Sequence, residues 1–226
     1  MQYPNIEKGY FISRPNRFIA LVERNGQIEK VHVKNTGRCR ELLKPQAPVY
    51  LVRSDQPARK TQYDLVAVEK GNLLINVDAQ APNQVFRAFL EQGGFLPHLT
   101  TIRPEYTWED SRFDFYLEQG LQKHLVEIKG VTLEEHGIAR FPDAPTQRGV
   151  KHIEGLIRSR QAGFEAWICF VVQMAPMKWV EPNDETHPAF GATLRKAVQA
   201  GVHVKAFVCD VTPDTLAICG EIPVKL

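Results

Sequence analysis

Two carboxylates and a lysine fall on neighbouring predicted strands in the second half of the chain. Within residues 124–129, Glu127 and Lys129 share one face, because side chains alternate across a strand. Asp114 lies on the preceding strand, and a turn containing Gly120 makes the two strands neighbours. The apolar side chains of both strands are predicted to face the opposite side together: Phe113, Phe115, Leu117, Val126 and Ile128. If they pack into one core, the three polar groups meet on a common side.

Such a group of side chains suits phosphodiester hydrolysis. Carboxylates on adjacent strands provide the hard oxygen ligands that Mg²⁺ or Mn²⁺ prefers. A lysine beside them can hold or polarise an attacking water, or stabilise the charge that builds at phosphorus. Glu105, on the preceding predicted strand, offers a third carboxylate for the metal. The Glu-x-Lys pair alone is also consistent with an exposed, salt-bridged strand edge.

A predicted helix over residues 146–161 follows this site. Arg148, Lys151 and His152 lie on one of its faces by i, i+3 and i+4 spacing, and apolar residues form the opposite stripe. The basic face is either an ordinary solvated surface or a place for a phosphate. We expect His152 to act as a hydrogen-bond donor rather than a metal ligand, because no second histidine has ligand spacing to it.

The predicted secondary structure that positions these residues changes near residue 82, from short strands to a mixture of helices and strands. Residues 1–82 predict five or so short strands without a long helix, including a hairpin at Asn25-Gly26. This pattern indicates a small barrel or sandwich, with the OB-fold as one candidate. Residues 83–226 predict a helix, three strands, a helix, a strand, a helix and a strand, which is an α/β layered domain.

The charge distribution and the cysteine content indicate what kind of partner and which cellular compartment to expect. Residues 1–82 hold 13 Lys and Arg against 8 Asp and Glu, whereas residues 83–226 hold 15 against 18. A basic module beside a slightly acidic one suits a phosphate-binding arm on a metal-binding body, although a normally solvated surface would give the same count. The four cysteines form no C-x-x-C pair and no apolar run is long enough to cross a bilayer, so we expect a cytoplasmic protein without a membrane partner.

Several runs resemble the sugar fermentation stimulation protein A (SfsA) family. The most specific is residues 141–152, Phe-Pro-Asp-Ala-Pro-Thr-Gln-Arg-Gly-Val-Lys-His, and the resemblance covers almost the whole chain. The other runs are residues 14–18, 35–37, 111–115 and 126–133.

The resemblance implies an N-terminal OB-like domain (residues 1–82) followed by a restriction-endonuclease-like domain of the PD-(D/E)xK type (residues 83–226). In that superfamily the positions of Asp114 and Glu127 bind a divalent metal and that of Lys129 serves catalysis. The family is described as DNA-binding and as a regulator of sugar (maltose) utilisation, and membership does not settle whether its members cut nucleic acid. Basic residues of the first domain are candidates for backbone phosphate contacts: Arg14, Arg17, Lys34, Arg38 and Arg40.

Three functions remain open from the sequence. One is a metal-dependent nuclease acting on DNA or RNA. Another is a DNA-binding regulator on a nuclease-like scaffold, reading backbone or shape, since no zinc-finger pattern or clear helix-turn-helix is present. The third is an enzyme acting on a phosphorylated small molecule, which the absence of a Gly-rich phosphate loop disfavours.

Overall fold

The computed structural model of the protein describes residues 1–35, 37–56 and 58–226. Thr36, in the predicted turn at residues 35–37, lies outside the described residues. The first set of strands is β1 (Ile6–Asn16), β2 (Ile19–Arg24), β3 (Gln27–Val33), β4 (Pro48–Arg53), β5 (Tyr63–Lys70) and β6 (Leu73–Asn76). Helix α1 (Ala81–Glu91) follows, and then β7 (Thr101–Trp108), β8 (Ser111–Gln119), β9 (Gln122–Val131), β10 (Leu133–Glu135) and β11 (Ile138–Phe141). The last elements are α2 (Gln147–Gln161), β12 (Glu165–Val172), β13 (Val180–Pro182), α3 (Pro188–Gln199), β14 (His203–Val211) and β15 (Leu216–Ile222).

Strands β1 to β5 form a closed barrel, and β6 pairs with β5 outside it. The strands are ordered β3-β2-β1-β4-β5-β6, and a further parallel pairing of β3 with β5 joins the two parts of the sheet. Apolar side chains such as Val22, Val49 and Leu65 are fully buried inside it. Asn25 and Gly26 both have positive φ, as a two-residue hairpin turn requires, so this predicted hairpin is confirmed.

A second six-stranded sheet carries the α/β part of the chain. Its order is β15-β14-β12-β9-β8-β7, with the central strands β9, β12 and β14 parallel and the outer pairs antiparallel. Helix α1 packs on one face, while α2 and α3 cover the other, so the sheet is enclosed by helices on both sides. A small sheet of β10, β11 and β13 lies beside it.

The apolar residues of β8 divide between the two faces, which corrects one prediction. Phe115 and Leu117 pack with Phe86 of α1, as expected for side chains that share a face. Phe113 instead packs in the other cluster, which includes Leu156 of α2. The alternation of β8 is therefore broken between Phe113 and Phe115, at Asp114, and this irregularity matters for the site described below.

A buried polar network joins the barrel to the second sheet. Asp78 is fully buried and accepts hydrogen bonds from Lys34 Nζ at 2.8 Å and from the Tyr3 hydroxyl at 3.3 Å. Gln173, just after β12, donates to Asn76 Oδ1 at 2.8 Å, and its carbonyl accepts from Asn76 N at 3.0 Å. Because buried polar groups are costly unless paired, these bonds fix how the two parts of the chain meet.

The first three residues form hydrogen bonds with the segment at the start of β15, and these contacts were not predicted. Met1 and Leu216 exchange backbone hydrogen bonds, and Tyr3 N donates to the carbonyl of Asp214 at 2.7 Å. The first residues thus pack on the second sheet although the barrel begins a few residues later. The predicted boundary at residue 82 falls just inside α1, and it stays a prediction.

Strands β1, β10, β11, β13 and β15 were not predicted from the sequence. Three of them have only three or four residues, and β1 contains register shifts that break the alternation of apolar and polar side chains. All four cysteines are free, and within the described residues no helix is long and apolar enough to span a membrane.

Candidate active site

The predicted polar residues meet in a cavity of about 290 Å³ between the second sheet, the start of α1 and the start of α2. Asp114, Glu127 and Lys129 all line it, so the three groups meet as predicted, although the alternation that places Glu127 and Lys129 does not extend to Asp114. The other polar side chains of the lining are Asn83, Glu105, Arg112, Thr146, Arg148 and His152.

Asp114 lies where β8 separates from β9. The pairing of the two strands starts at Phe115 opposite Val126, and beyond it Asp114 Oδ2 accepts from Ile128 N at 2.7 Å. The carboxylate thus takes the place of a backbone partner, which explains the broken alternation at this position. Its other oxygen, Oδ1, accepts from Asn83 Nδ2 at 2.6 Å. Asp114 is therefore held from two sides, with its carboxylate fixed at the cavity.

Glu127 is almost completely buried, with 2% of its surface exposed. Its Oε1 atom accepts from both Lys129 Nζ and His152 Nδ1. Its Oε2 atom is buried and has no hydrogen-bond partner among the described residues. An unpaired buried carboxylate oxygen is costly in a folded protein, so Oε2 can accept from a ligand that enters the cavity.

The two carboxylates influence each other's ionisation. Burial and the nearby charge of Glu127 raise the pKa of Asp114 from 3.8 to about 6. Burial alone would raise the pKa of Glu127 as well, but the charge of Lys129 and the hydrogen bond from His152 outweigh it, so that pKa is lowered.

The charged side chains that line the cavity balance formally, with Asp114, Glu127 and Glu105 against Arg112, Lys129 and Arg148. Arg112 pairs with Glu105 and Arg148 is exposed, so the two inner carboxylates face a single largely buried cation, Lys129. The inner part of the cavity therefore favours a cation.

Helix α2 brings two further groups to the cavity. Its N-terminus is capped by the Thr146 hydroxyl, which accepts from Gly149 N at 3.0 Å. A Cβ atom at Gly155 would lie 2.7 Å from Ser111 Oγ and 3.1 Å from Phe113 Cζ, so glycine allows α2 to approach β8 closely. This approach sets His152 against Glu127, and Arg148 Nε donates to His152 Nε2 at 3.3 Å.

The expectation that Glu105 supplies a third metal carboxylate is not met by this arrangement. Glu105, with φ of 57°, lies on β7 opposite Asp114, because Pro104 pairs with Phe115 and Tyr106 with Phe113. Its carboxylate borders the cavity but is more than half exposed and forms an ion pair with Arg112 at 3.0 Å. Among the described residues, no three Asp, Glu, His or Cys side chains are close enough together to hold a metal ion. Asp114 and Glu127 are thus the two carboxylates available.

Three side chains that were predicted to contact nucleic acid form hydrogen bonds or ion pairs within the protein. The two terminal nitrogens of Arg14 donate to four carbonyl oxygens at 2.6–2.9 Å, those of Arg17, Asn35, Gly37 and Arg38. Lys34 is the ion-pair partner of buried Asp78. His152 is buried between Glu127 and Arg148. These side chains hold the structure together, so a phosphate contact from any of them would require these bonds to break, and that assignment stays a prediction.

The remaining candidates are on the surface. Arg17, Arg38, Arg40 and Arg148 are exposed, and only Arg148 of these lines the cavity. The backbone N of Arg38 donates to Asp143 Oδ2 at 3.1 Å, which ties the barrel to the loop before α2. Lys151 is exposed but forms an ion pair with Asp110 at 3.1 Å.

Asn83 and Gly155 were missed as site residues. Asn83 lies 31 positions before the carboxylate that it contacts, and the sequence gives no signal for that contact. Gly155 stands out as a glycine inside a predicted helix, which is a recognised sign of close packing.

Comparison with known proteins agrees with this geometry. Residues 12–77 match the family model described as the SfsA N-terminal OB domain, and residues 80–215 match that of the sugar fermentation stimulation protein RE domain. The chain belongs to the SfsA family. The resemblance predicted from the sequence is thereby confirmed, and so are the OB fold of the barrel and the α/β fold of the second part.

Relatives in the SfsA family match over the full chain. The sugar fermentation stimulation protein homolog of Desulfitobacterium hafniense (strain DSM 10664 / DCB-2) is 54% identical and covers 100% of this chain and 99% of its own. The homolog of Clostridium beijerinckii is 49% identical over the whole of both chains. A solved structure of SfsA from Pyrococcus furiosus in complex with Ca²⁺ has 27% sequence identity and a TM-score of 0.91, and the match covers 100% of this chain and 98% of that one.

Proposed function

We propose that this protein is a cytoplasmic, divalent-cation-dependent nuclease that binds nucleic acid, DNA first of all, and hydrolyses its phosphodiester bonds. The observation that carries the proposal is the convergence of Asp114, Glu127 and Lys129 on one polar cavity. Two ionised carboxylates and an amine at one cavity are the groups that phosphodiester hydrolysis needs.

The donor set of the cavity fits a hard divalent cation. Glu127 Oε2 is buried without a hydrogen-bond partner among the described residues, and the neighbouring charge of Glu127 contributes to the raised pKa of Asp114. Mg²⁺ and Mn²⁺ bind through one or two protein carboxylates when substrate oxygens and waters complete their shell. The Pyrococcus furiosus relative was solved with Ca²⁺, a cation with the same preference for oxygen. We therefore assign Mg²⁺ or Mn²⁺ to Asp114 and Glu127.

Each side chain then has a distinct role. A bound cation would polarise the phosphate and make a bound water more acidic. Lys129, held beside Glu127, stabilises the negative charge that develops on the phosphate oxygens. Arg148, exposed at the mouth of the cavity, receives a phosphate of the nucleic acid through its terminal nitrogens.

The barrel supplies the second part of the binding surface. Arg38 lies in a loop whose backbone is tied to Asp143, three residues before the cap of α2. A nucleic acid that enters the cavity next to Arg148 therefore runs close to the loop that carries Arg38 and Arg40. Contacts from these residues to phosphates would hold the strand without reading its sequence.

A regulatory role through DNA binding alone is the second candidate. The relatives in Desulfitobacterium hafniense and Clostridium beijerinckii are named for sugar fermentation stimulation, which favours a role in the control of sugar utilisation. In this case the cavity would hold the cation and the phosphate without cleaving the strand.

Cleavage assays separate the two candidates. Labelled single- and double-stranded DNA and RNA are incubated with Mg²⁺ or Mn²⁺ and wild type, Glu127→Ala or Glu154→Ala, the last being an exposed glutamate of α2 that serves as a control. The proposal expects cleavage by wild type and by the control, and none by Glu127→Ala. Cleavage that survives Glu127→Ala would come from a contaminant and count against the proposal. Binding without cleavage by all three proteins would favour the regulatory role.

A further inference from the structure

We propose that His152 is a positioning residue that orients two groups at once, the cation-binding carboxylate of Glu127 and the phosphate-binding guanidinium of Arg148. This inference rests on the proposed function and adds a residue to its site. Glu127 and Arg148 act on different ligands, and His152 is in contact with both of them.

The hydrogen bonds indicate which ring nitrogen of His152 donates and which accepts. Arg148 Nε can only donate, so His152 Nε2 must accept, which leaves the ring proton on Nδ1. The carboxylate of Glu127 can only accept when ionised, and it faces Nδ1. Arg148 therefore donates to His152, and His152 donates to Glu127. Every donor in this series of hydrogen bonds meets an acceptor, and the reverse order is not possible.

The contact with His152 decides which oxygen of Glu127 is free. Lys129 and His152 both bind Oε1, and Oε2 is left without a partner in the described part of the chain. Without His152, Lys129 alone would hold the carboxylate, which could then turn so that its second oxygen no longer lies free at the cavity. By fixing the carboxylate, His152 keeps Oε2 available to a cation, as partners of metal ligands do in general.

The contact with Arg148 decides which edge of the guanidinium is free. Arg148 uses Nε for His152, so its two terminal nitrogens remain available for a phosphate. Two parallel N–H groups are the geometry that binds phosphate oxygens most strongly. Arg148 is exposed at the cavity, so its free edge is open to a ligand from solvent.

The fold supports a dedicated position for His152. Gly155 lies three residues further along α2, on the neighbouring part of the same face, and its missing side chain lets the helix approach Ser111 and Phe113. His152 is consequently buried, with 9% of its surface exposed, although it lies in the first two turns of a helix whose neighbouring residue Lys151 is exposed.

Two substitutions separate the contacts. In His152→Asn, the amide nitrogen takes the place of Nδ1 and can donate to Glu127, but nothing replaces Nε2. In His152→Gln, the amide reaches the place of Nε2 and can meet Arg148, but the donor to Glu127 is lost. Arg148→Ala removes the phosphate contact without changing either ring position, and Glu154→Ala on the same helix is the control.

The experiment measures two affinities for each full-length protein. Ca²⁺ binding is measured by calorimetry, and binding of a labelled DNA oligonucleotide is measured in EDTA by fluorescence anisotropy. We expect His152→Gln to weaken Ca²⁺ binding about 10- to 100-fold, which is typical for partners of metal ligands, with little change in DNA binding. We expect His152→Asn and Arg148→Ala to weaken DNA binding and to leave Ca²⁺ binding close to that of wild type.

The remaining outcomes decide against the inference. Parallel loss of both affinities in both His152 variants, or no change in either, would show that His152 is an ordinary packed residue. If His152→Gln does not fold, as judged by circular dichroism, His152→Asn decides alone, and it must keep Ca²⁺ binding and lose DNA binding. A wild type that binds neither Ca²⁺ nor DNA would refute the proposed function itself, whereas an unaffected variant beside a binding wild type refutes only the role of His152.

Discussion

Replacement of Asp114 by asparagine is expected to stabilise the cation-free protein. Burial and the charge of Glu127 raise the pKa of Asp114 from 3.8 to about 6, so its ionised form is disfavoured in the folded state. At 1.36 kcal/mol per pH unit, the ionised carboxylate costs at most about 3 kcal/mol of folding stability above pH 6. An amide carries no charge, its oxygen can still accept from Ile128 N, and its nitrogen can donate to Asn83 once the amide of Asn83 turns over. Asp114→Asn should therefore raise the free energy of unfolding at pH 8 by up to about 3 kcal/mol.

The pH dependence has a definite sign. The folded pKa of Asp114 lies above its unfolded value, so stability falls as pH rises from about 4 to about 6 and then levels off. Below that window the carboxyl is protonated in both states, and the substitution should bring no gain. Urea unfolding of wild type and Asp114→Asn in EDTA at pH 4 and pH 8 measures the difference, with the exposed Asp55→Asn as a control.

One pattern would refute this reasoning. If Asp114→Asn destabilised the protein equally at both pH values, its hydrogen bonds to Ile128 and Asn83 would matter and its charge would not. Added Ca²⁺ should reverse the order of stability at pH 8, because a ligand stabilises the form that binds it. A cation that stabilised wild type and Asp114→Asn to the same extent would bind somewhere else.

Two further predictions concern residues that build the site and its support. Lys34→Ala should lower the free energy of unfolding by about 1.5–3 kcal/mol, because it removes a hydrogen bond to the charged and buried Asp78. In urea unfolding, the control Arg40→Ala changes an exposed residue, and its free energy of unfolding should lie within about 0.5 kcal/mol of the wild-type value. If Lys34→Ala and Arg40→Ala lowered the free energy of unfolding equally, the structural role of Lys34 would be contradicted. Gly155→Ala should lower stability by about 1 kcal/mol, since overpacking against Phe113 costs about 1–3 and helix propensity returns about 1. It should also weaken Ca²⁺ binding by moving His152 away from Glu127, and an unchanged affinity would show that α2 need not pack so closely.

The sequence predicted those parts of the site that depend on local periodicity. Glu127 and Lys129 share a face because side chains alternate along β9, and Arg148 and His152 share one because they are four residues apart on α2. Asp114 reached the same cavity for a different reason, since its carboxylate replaces a strand partner at the end of the β8–β9 pairing. That irregularity moved Phe113 to the other core, and alternation alone does not reveal it.

Contacts between distant segments were beyond sequence reasoning. Charge alone does not distinguish Lys34, which neutralises the buried Asp78, from the exposed Arg40. Arg14 likewise looked like a surface cation, yet its guanidinium holds carbonyl groups of a loop more than twenty residues further along the chain. The basic excess of the barrel therefore overstates the number of charges available to a nucleic acid.

The number of available positive charges predicts how strongly DNA binding depends on salt concentration. Among the predicted phosphate contacts, four side chains are exposed and without an ion-pair partner in the described part of the chain: Arg17, Arg38, Arg40 and Arg148. Four contacts to duplex DNA give a slope of about −3.6 for the logarithm of the association constant against that of salt concentration. Eight contacts would give about −7. Anisotropy titrations in EDTA between about 50 and 200 mM salt measure this slope. A value near −7 would mean that Arg14, Lys34, Lys151 and His152 all leave their internal partners when DNA binds. A value near zero would exclude phosphate contacts as the basis of binding.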